Sequence, residues 1–189
     1  MKLILASQSP RRRELLSRIT SDFTVEPSNG EEIIPEGSSP AKAVQCLAEC
    51  KAREVSLRHP DALVIGSDTI VTIDGQILGK PHSKEHCISM LQQLSGRVHQ
   101  VYTGVALSIN GKTETFFDVT DVEFYSLSQE DIDWYVSLDE PWDKAGGYGI
   151  QGQGSLLVKG IHGDYFTVMG LPVAMLARKL KPYFSFNGK

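Results

Sequence analysis

The first residues with the chemistry to bind an anion lie between a short apolar strand and a helix. Residues 7–12 read SQSPRR, in which Ser9 is a suitable N-cap and Pro10 a suitable first helical residue. The start of a helix presents unpaired N–H groups and the positive end of a dipole to an anion. Arg11 and Arg12 add forked donors that match phosphate oxygens. The pattern predicts a phosphate site that includes Ser7, and the alternative is an ordinary pair of surface arginines.

A lysine falls on the apolar face of a second helix, which begins at a Ser-Pro pair (residues 39–40) and runs to about residue 56. Such a lysine must extend to solvent, lose its proton or meet an anion. The sequence leaves open whether Lys51 lies at the rim of the core or points into a phosphate pocket. Lys51 falls within about 60° of one apolar face, formed by Val44, Leu47, Ala48 and Val55.

A carboxylate follows the most apolar strand of the sequence. Residues 61–68 read DALVIGSD, and we expect Asp68 at the strand end, where a sheet delivers residues to a ligand crevice. There it can bind a divalent cation or accept a proton from water, or simply serve as a turn residue. Lys80, in the sequence Gly-Lys-Pro, leaves the following hairpin and is placed to return to the same crevice; its alternative is an exposed lysine.

Residues 82–86 read HSKEH and match the H-x-x-E-H pattern of inverted zinc peptidases. That chemistry needs both histidines on one face of a continuous helix. Pro81 precedes His82 and Ser83 is the expected N-cap, which leaves His82 outside the helix. The zinc interpretation is therefore disfavoured.

Strands and helices are interspersed along the chain. A strand at residues 2–6, hairpins at Asp74-Gly75 and at Asn110-Gly111, and a capping box from Ser128 to Asp131 are the main local signals. Residues 146–170 are rich in glycine and predict loop and strand with close backbone contacts. Pro172 is expected to open the last helix. The pattern predicts a mixed sheet of the α/β or α+β class.

Composition limits the classes of function. The chain has 189 residues, 22% charged and 41% hydrophobic, which excludes a disordered chain or a coiled coil. The length suits one large domain or two small ones, and because no Pro/Ser-rich linker divides the chain, we expect a single domain over residues 1–189. The net charge of −4 argues against a general attraction to nucleic acid or acidic membranes. No apolar run reaches the length of a signal peptide or a membrane helix. Three cysteines without a C-x-x-C spacing favour a reducing compartment, so the expected location is cytoplasmic.

Five segments in a fixed order together resemble one family. They are LILASQSPRRRELL (residues 3–16), VIGSDTIV (64–71), LGKP (78–81), DEPWDKAGGYGIQGQG (139–154) and VMGLP (168–172). Each is weakly specific alone, but together they resemble the Maf family of nucleotide pyrophosphatases from Leu3 to about Leu180. The resemblance implies an α/β fold with an elongated, mixed, twisted sheet flanked by helices and a deep cleft, similar to that of inosine triphosphate pyrophosphatases.

The resemblance also implies hydrolysis of nucleoside triphosphates to the monophosphate and pyrophosphate with Mg²⁺ or Mn²⁺, and a homodimer. Asp68 falls on the family's catalytic aspartate, the proton acceptor, and Asp68 with Glu32 is expected to hold or flank the metal. The expected triphosphate-binding residues are Ser7, Arg12, Lys51 and Lys80.

One branch of the family carries Arg, Thr and Gln at three specificity positions and acts on dTTP and UTP. This chain has Arg11, Thr69 and Gln151 and resembles that branch, whereas a branch with tryptophan in place of the arginine acts on 7-methyl-GTP. Family members have also been linked to arrest of septum formation and cell division. The alternative is therefore a non-enzymatic regulator that binds DNA or a septal protein. The acidic balance and the lack of a DNA-binding motif argue against its DNA-binding form.

Overall fold

Serine residues begin four of the helices in the computed structural model, which describes residues 1–30 and 34–184. Each serine hydroxyl accepts a hydrogen bond from the backbone N–H three residues later, which satisfies an unpaired donor of the helix start. These caps are Ser9, Ser39, Ser83 and Ser128, as the sequence predicts. The helices are α1 (Pro10–Ser17), α2 (Pro40–Arg58), α3 (Lys84–Leu94), α4 (Gln129–Val136), α5 (Tyr165–Met169) and α6 (Val173–Leu180).

Seven strands form one twisted sheet in the described part of the chain, in the order β2-β1-β3-β5-β6-β7, with β4 also paired to β3. They are β1 (Leu3–Ala6), β2 (Thr24–Val25), β3 (Leu63–Ile73), β4 (Gln76–Leu78), β5 (Val98–Ile109), β6 (Lys112–Phe124) and β7 (Val158–His162). β1 runs parallel to β2 and β3, whereas β4 runs antiparallel to β3 and β7 to β6. The predicted mixed α/β sheet flanked by helices is confirmed.

Two tight turns set the register of the hairpins. Asp74 and Gly75 have φ angles of 51° and 77°, and Asn110 and Gly111 have φ angles of 50° and 73°. Positive φ at both central residues gives a turn whose twist matches that of the flanking strands. Both hairpins predicted from these dipeptides are confirmed.

The chain divides into two compact units. The first contains residues 1–68, 103–118 and 170 onward, and the second contains residues 69–102 and 119–169. β3, β5 and β6 therefore contribute residues to both. The first unit has an apolar core of strand and α2 residues that includes Ile4, Ala48 and Val64, and the core of the second includes Leu91 and Tyr135. The elongated cleft and the single domain over residues 1–189 stay predictions.

Two local expectations were wrong. Asp68 does not end a strand, because β3 continues through Thr69 to Ile73; the β-branched residues after Asp68 favour continued extension. The glycine-rich region contains not only loop and strand but also α5. This short helix forms because Asp164 accepts a hydrogen bond from the N–H of Phe166 through its side chain and from that of Thr167 through its carbonyl.

Candidate active site

The loop after β1 gathers hydroxyl groups at the start of α1. Ser7 is buried, and its Oγ accepts a hydrogen bond from the Ser9 N–H at 3.2 Å. Ser9 in turn accepts from the Arg12 N–H at 3.4 Å. A pocket of about 640 Å³ opens beside this loop, and its lining includes both serines, Arg13 and Glu14. The pocket lining therefore contains side chains of both charges. The groups in it that suit an anion are the two hydroxyls, the Arg13 side chain and the helix start.

Arg12 is held by a carbonyl 158 residues away in the sequence. Its Nε donates to the oxygen of Gly170 at 2.9 Å. The hydroxyl of Ser67 lies 3.0 Å from the same oxygen and 3.0 Å from the oxygen of Gly104. One carbonyl thus fixes both the predicted phosphate-binding arginine and the residue next to Asp68. Ser67 and Gly170 were not among the predicted site residues; a lone serine inside a buried apolar strand was the available signal.

Two glycines let α2 pack directly on the sheet. A Cβ on Gly66 would lie 2.2 Å from the carbonyl oxygen of Ala48, and one on Gly104 would lie 2.3 Å from that of Val44. Both distances are too short for any larger residue, so the helix backbone rests on the strands at these points. The contact fixes how far Lys51, one turn beyond Ala48, stands from β3.

Lys51 and Asp68 form an ion pair in this first unit. The Nζ of Lys51 contacts Oδ1 of Asp68, and the two side chains are only 14% and 13% exposed. Because both charges have lost most of their hydration, each requires a partner of opposite charge. The lysine on the apolar face therefore meets an anion, and in this structure the anion is a carboxylate of the chain itself.

Arg11 also lies in the first unit, half-buried at the start of α1. The structure thus assembles Ser7, Arg11, Arg12, Lys51 and Asp68 in one compact unit. Glu32, the second expected metal ligand, lies outside the described residues.

The second unit contains the other three candidate residues. Thr69 is half-buried in β3, Lys80 is exposed after β4, and Gln151 is exposed in the glycine-rich segment. The N–H of Gly146 donates to the oxygen of Gly79 at 3.0 Å. This bond joins the segment that carries Lys80 to the segment that carries Gln151.

A buried histidine supports the same segment. The Nε2 of His99 lies 2.7 Å from the hydroxyl of Tyr148, and the rings meet edge to face. Burial lowers the pKa of His99 to about 4 and raises that of Tyr148 well above its usual value. Both side chains are therefore neutral at physiological pH. The Nδ1 of His99 has no hydrogen-bond partner among the described residues, so protonating this ring would be costly.

The two histidines of the H-x-x-E-H pattern lie on either side of a helix start. Ser83 caps α3 and accepts a hydrogen bond from the His86 N–H at 3.1 Å, as expected. His82 therefore precedes the helix, and its ring lies 4.0 Å from that of His86, centroid to centroid. The pair does not occupy one face of a continuous helix, which is what an inverted zinc-peptidase site needs.

Among residues 1–30 and 34–184, none of the helices combines the length and the apolar character that a membrane span requires.

Comparison with solved structures found a weak likeness. The Staphylococcus aureus Ham1 protein matches with a TM-score of 0.48 and 16% identity, over 66% of this chain and 72% of the other.

Comparison with known sequences gave matches over almost the whole chain. The protein of Bacillus velezensis named dTTP/UTP pyrophosphatase is 53% identical over 182 residues, 96% of each chain. The proteins of the same name from Bacillus cytotoxicus and Bacillus pumilus are 52% and 50% identical, over 97% and 96% of this chain and 96% of each relative. A family model described as Maf-like protein matches residues 2–183. On this match and these identities, the chain belongs to the Maf family.

Proposed function

We propose that this chain is a nucleoside triphosphate pyrophosphatase that converts dTTP and UTP to the monophosphate and pyrophosphate. The observation that carries the proposal is the shielded Lys51–Asp68 pair in the same unit as the serine-rich loop before α1. A cation and a carboxylate in such a place serve anion binding and proton transfer. Relatives that bear the name dTTP/UTP pyrophosphatase at about half identity support the substrate class.

The reaction needs little covalent work from the protein. Water attacks the α-phosphorus, the bond from this phosphorus to the bridging oxygen breaks, and pyrophosphate leaves. Positioning and neutralisation of charge dominate such transfers. In the proposed arrangement Ser7, Arg12, Lys51 and Lys80 bind the triphosphate oxygens. When a phosphate takes the Lys51 ammonium, the carboxylate of Asp68 is released to accept the proton from water.

A divalent cation fits this set of residues. No three His, Cys, Asp or Glu side chains cluster within the described ranges. Mg²⁺ bound to a triphosphate takes only one or two carboxylates from a protein, the rest of its ligands being water and phosphate. Asp68 would supply one carboxylate, and Glu32 is the proposed second. When bound, the ion neutralises charge on the phosphate oxygens.

Arg11, Thr69 and Gln151 are the proposed specificity residues. An amide side chain donates and accepts at once, which matches the alternating donors and acceptors on the edge of uracil or thymine. A different base would leave such groups unpaired and so would bind less well.

The test is an assay of the purified protein with dTTP, UTP, CTP, GTP and 7-methyl-GTP, each with Mg²⁺ or Mn²⁺. We expect equal amounts of monophosphate and pyrophosphate, formed fastest from dTTP and UTP. Release of inorganic phosphate instead would contradict attack at the α-phosphorus. A preference for 7-methyl-GTP would contradict the substrate assignment alone, and no hydrolysis of any triphosphate would favour the non-enzymatic regulator.

We also propose a cytoplasmic homodimer. None of the three cysteines forms a disulfide in the described chain, which suits a reducing compartment, and the dimer follows from the family resemblance. Analytical ultracentrifugation at micromolar concentration tests the dimer, for which a single species of about 21 kDa would be the contrary result.

A further inference from the structure

Gln151 lies in a turn that is held on both flanks by one pair of side chains. The N–H of Gly149, two residues before it, donates to the hydroxyl of Tyr135 at 3.0 Å. The N–H of Gln153, two residues after it, donates to Oε2 of Glu140 at 2.8 Å, and that of Gly154 donates to Oε1 at 2.9 Å. Backbone N–H groups on both sides of Gln151 therefore fix the orientation of the turn.

The two supporting side chains are themselves joined. The Tyr135 hydroxyl donates to Oε1 of Glu140 at 2.9 Å. Burial, and then the Glu140 carboxylate, raise the pKa of Tyr135 far above its usual value, so the hydroxyl keeps its proton. Burial by itself would raise the pKa of Glu140, but the amides of Gly154 and Gln153 and the Tyr135 hydroxyl lower it below its ordinary value. The ionised carboxylate thus accepts three hydrogen bonds, two from backbone N–H groups and one from the Tyr135 hydroxyl.

The fit between the turn and its support is tight. A Cβ on Gly152 would lie 2.1 Å from Oε2 of Glu140. One on Gly154 would lie 2.7 Å from the Tyr135 hydroxyl. The carboxylate and hydroxyl lie directly against the backbone of the turn, and the Tyr135 ring is fully buried in the core of the second unit. The support is therefore anchored in the close-packed core of the second unit.

We propose that Glu140 is a positioning residue for nucleobase selection, acting through Tyr135 and the backbone of residues 149–154 on the direction of Gln151. The inference rests on the proposed function, in which Gln151 recognises the base. Of the four proposed triphosphate residues, Ser7, Arg12 and Lys51 belong to the other unit, and Lys80 lies outside the turn that Glu140 supports. Loss of the Glu140 carboxylate therefore lowers selection between bases more than it lowers handling of the triphosphate.

The experiment compares Glu140→Gln with a matched control, Glu130→Gln, which makes the same change of charge at an exposed site on α4. Glutamine has an NH₂ group in place of one carboxylate oxygen, and this group cannot accept a hydrogen bond. At least one of the three donors to Glu140 therefore loses its acceptor. The ratio of kcat/KM for dTTP to that for CTP and GTP should fall about tenfold in Glu140→Gln, the effect of about one lost hydrogen bond to a charged group, and stay unchanged in Glu130→Gln. An equal fall for every nucleotide would show a structural role only and overturn the proposal.

Amide hydrogen exchange gives a readout that does not depend on activity. Glu140→Gln should speed exchange at residues 149–154 by about tenfold and leave β5 unchanged, whereas Glu130→Gln should alter neither. Tyr135→Phe removes only the bridging hydroxyl and should also speed exchange at the amide of Gly149. This variant serves as the test if Glu140→Gln does not fold. Unchanged exchange and unchanged selectivity in an active protein would overturn the inference alone. A wild-type protein without activity on dTTP and UTP would overturn the proposed function, and the selective role of Glu140 with it.

Discussion

The two units hold their candidate residues in opposite ways. In the first unit, Lys51 and Asp68 lie on a helix and a strand that pack directly on each other at Gly66, and the two side chains form an ion pair. In the second unit, Gln151 is exposed on a turn that is held by amide hydrogen bonds to Tyr135 and Glu140. Regular elements thus carry the charged groups, and a supported turn carries the residue proposed to recognise the base. Substitution of Lys51 or Asp68 should therefore impair the chemical step, and substitution of Gln151 should change which base is selected.

The largest effect is expected from Asp68→Asn. The amide cannot take a proton from water, and loss of one proton-transfer group typically lowers turnover about 10²–10⁴-fold. Steady-state kinetics with dTTP, with circular dichroism to verify folding, provide the measurement. Asp61→Asn, at an exposed position just before β3, is the control. Near-normal turnover in a folded Asp68→Asn protein would remove Asp68 from the mechanism.

Lys51→Met tests whether the first unit depends on charge pairing. The substitution leaves the shielded Asp68 carboxylate without its ammonium, which should lower the free energy of unfolding by about 3 kcal/mol, near the lower limit for broken buried pairs. Adding Asp68→Asn should restore most of this loss, because no charge then remains buried. Urea denaturation of the single and double variants measures the coupling, and Lys42→Met, on an exposed position of α2, controls for the change of charge. Equal stability of the wild type, the two single variants at Lys51 and Asp68 and the double variant would show that the pair contributes nothing to folding.

Gln151→Glu tests whether the second unit selects the base. The change replaces a donor by a second acceptor, and one mismatched group covered by the bound base costs roughly 1–3 kcal/mol, or about 5- to 150-fold in kcat/KM. The loss should be confined to dTTP and UTP, with triphosphate binding retained. Specificity constants for all five nucleotides are the measurement, and Gln92→Glu, exposed on α3, is the control. A uniform loss across the nucleotides would assign Gln151 to the scaffold instead.

The smallest expected effect is on the pH dependence of stability. It comes from His99, which contacts Tyr148 of the glycine-rich segment. The unfolded histidine takes up its proton near pH 6.5, but the folded one does so only near pH 4. Between these values the unfolded state binds more protons, so stability falls as the pH drops and levels off below pH 4. The loss should be about 1.5 kcal/mol from pH 6.5 to pH 5. His99→Gln should flatten this dependence, whereas a substitution at the exposed His162 should leave it intact. Parallel stability curves for wild type and His99→Gln would contradict the assignment.

Local signals in the sequence were sufficient for most of the fold. A serine before a proline or three residues before an acidic residue predicted helix starts, and Asp-Gly and Asn-Gly predicted both hairpin turns, because each of these features depends on neighbouring residues only. The end of β3 was misplaced because the apolar run ends at Asp68, whereas pairing with β4 continues the strand past it.

Parts of the candidate site depend on contacts between distant residues. The helical periodicity of α2 predicted that Lys51 lies on the apolar face. Its pairing with Asp68 depends on the packing of α2 on Gly66. In the sequence, only a glycine within an apolar strand indicates this packing. Glu140 could not be identified, since its partners lie 13 and 14 residues further along the chain. In sequence it is an ordinary acidic residue before a proline.

The hydrogen bond from Arg12 to Gly170 has a consequence for the order in which the protein is made. The first unit contains the N-terminus but also needs the chain from Gly170 onward, whereas the second unit is complete at residue 169. During synthesis from the N-terminus, domains fold as their residues emerge. The unit that begins first is therefore the last to be completed. We expect nascent chains that end near residue 169 to be protected from protease in the second unit and cleaved readily in the first.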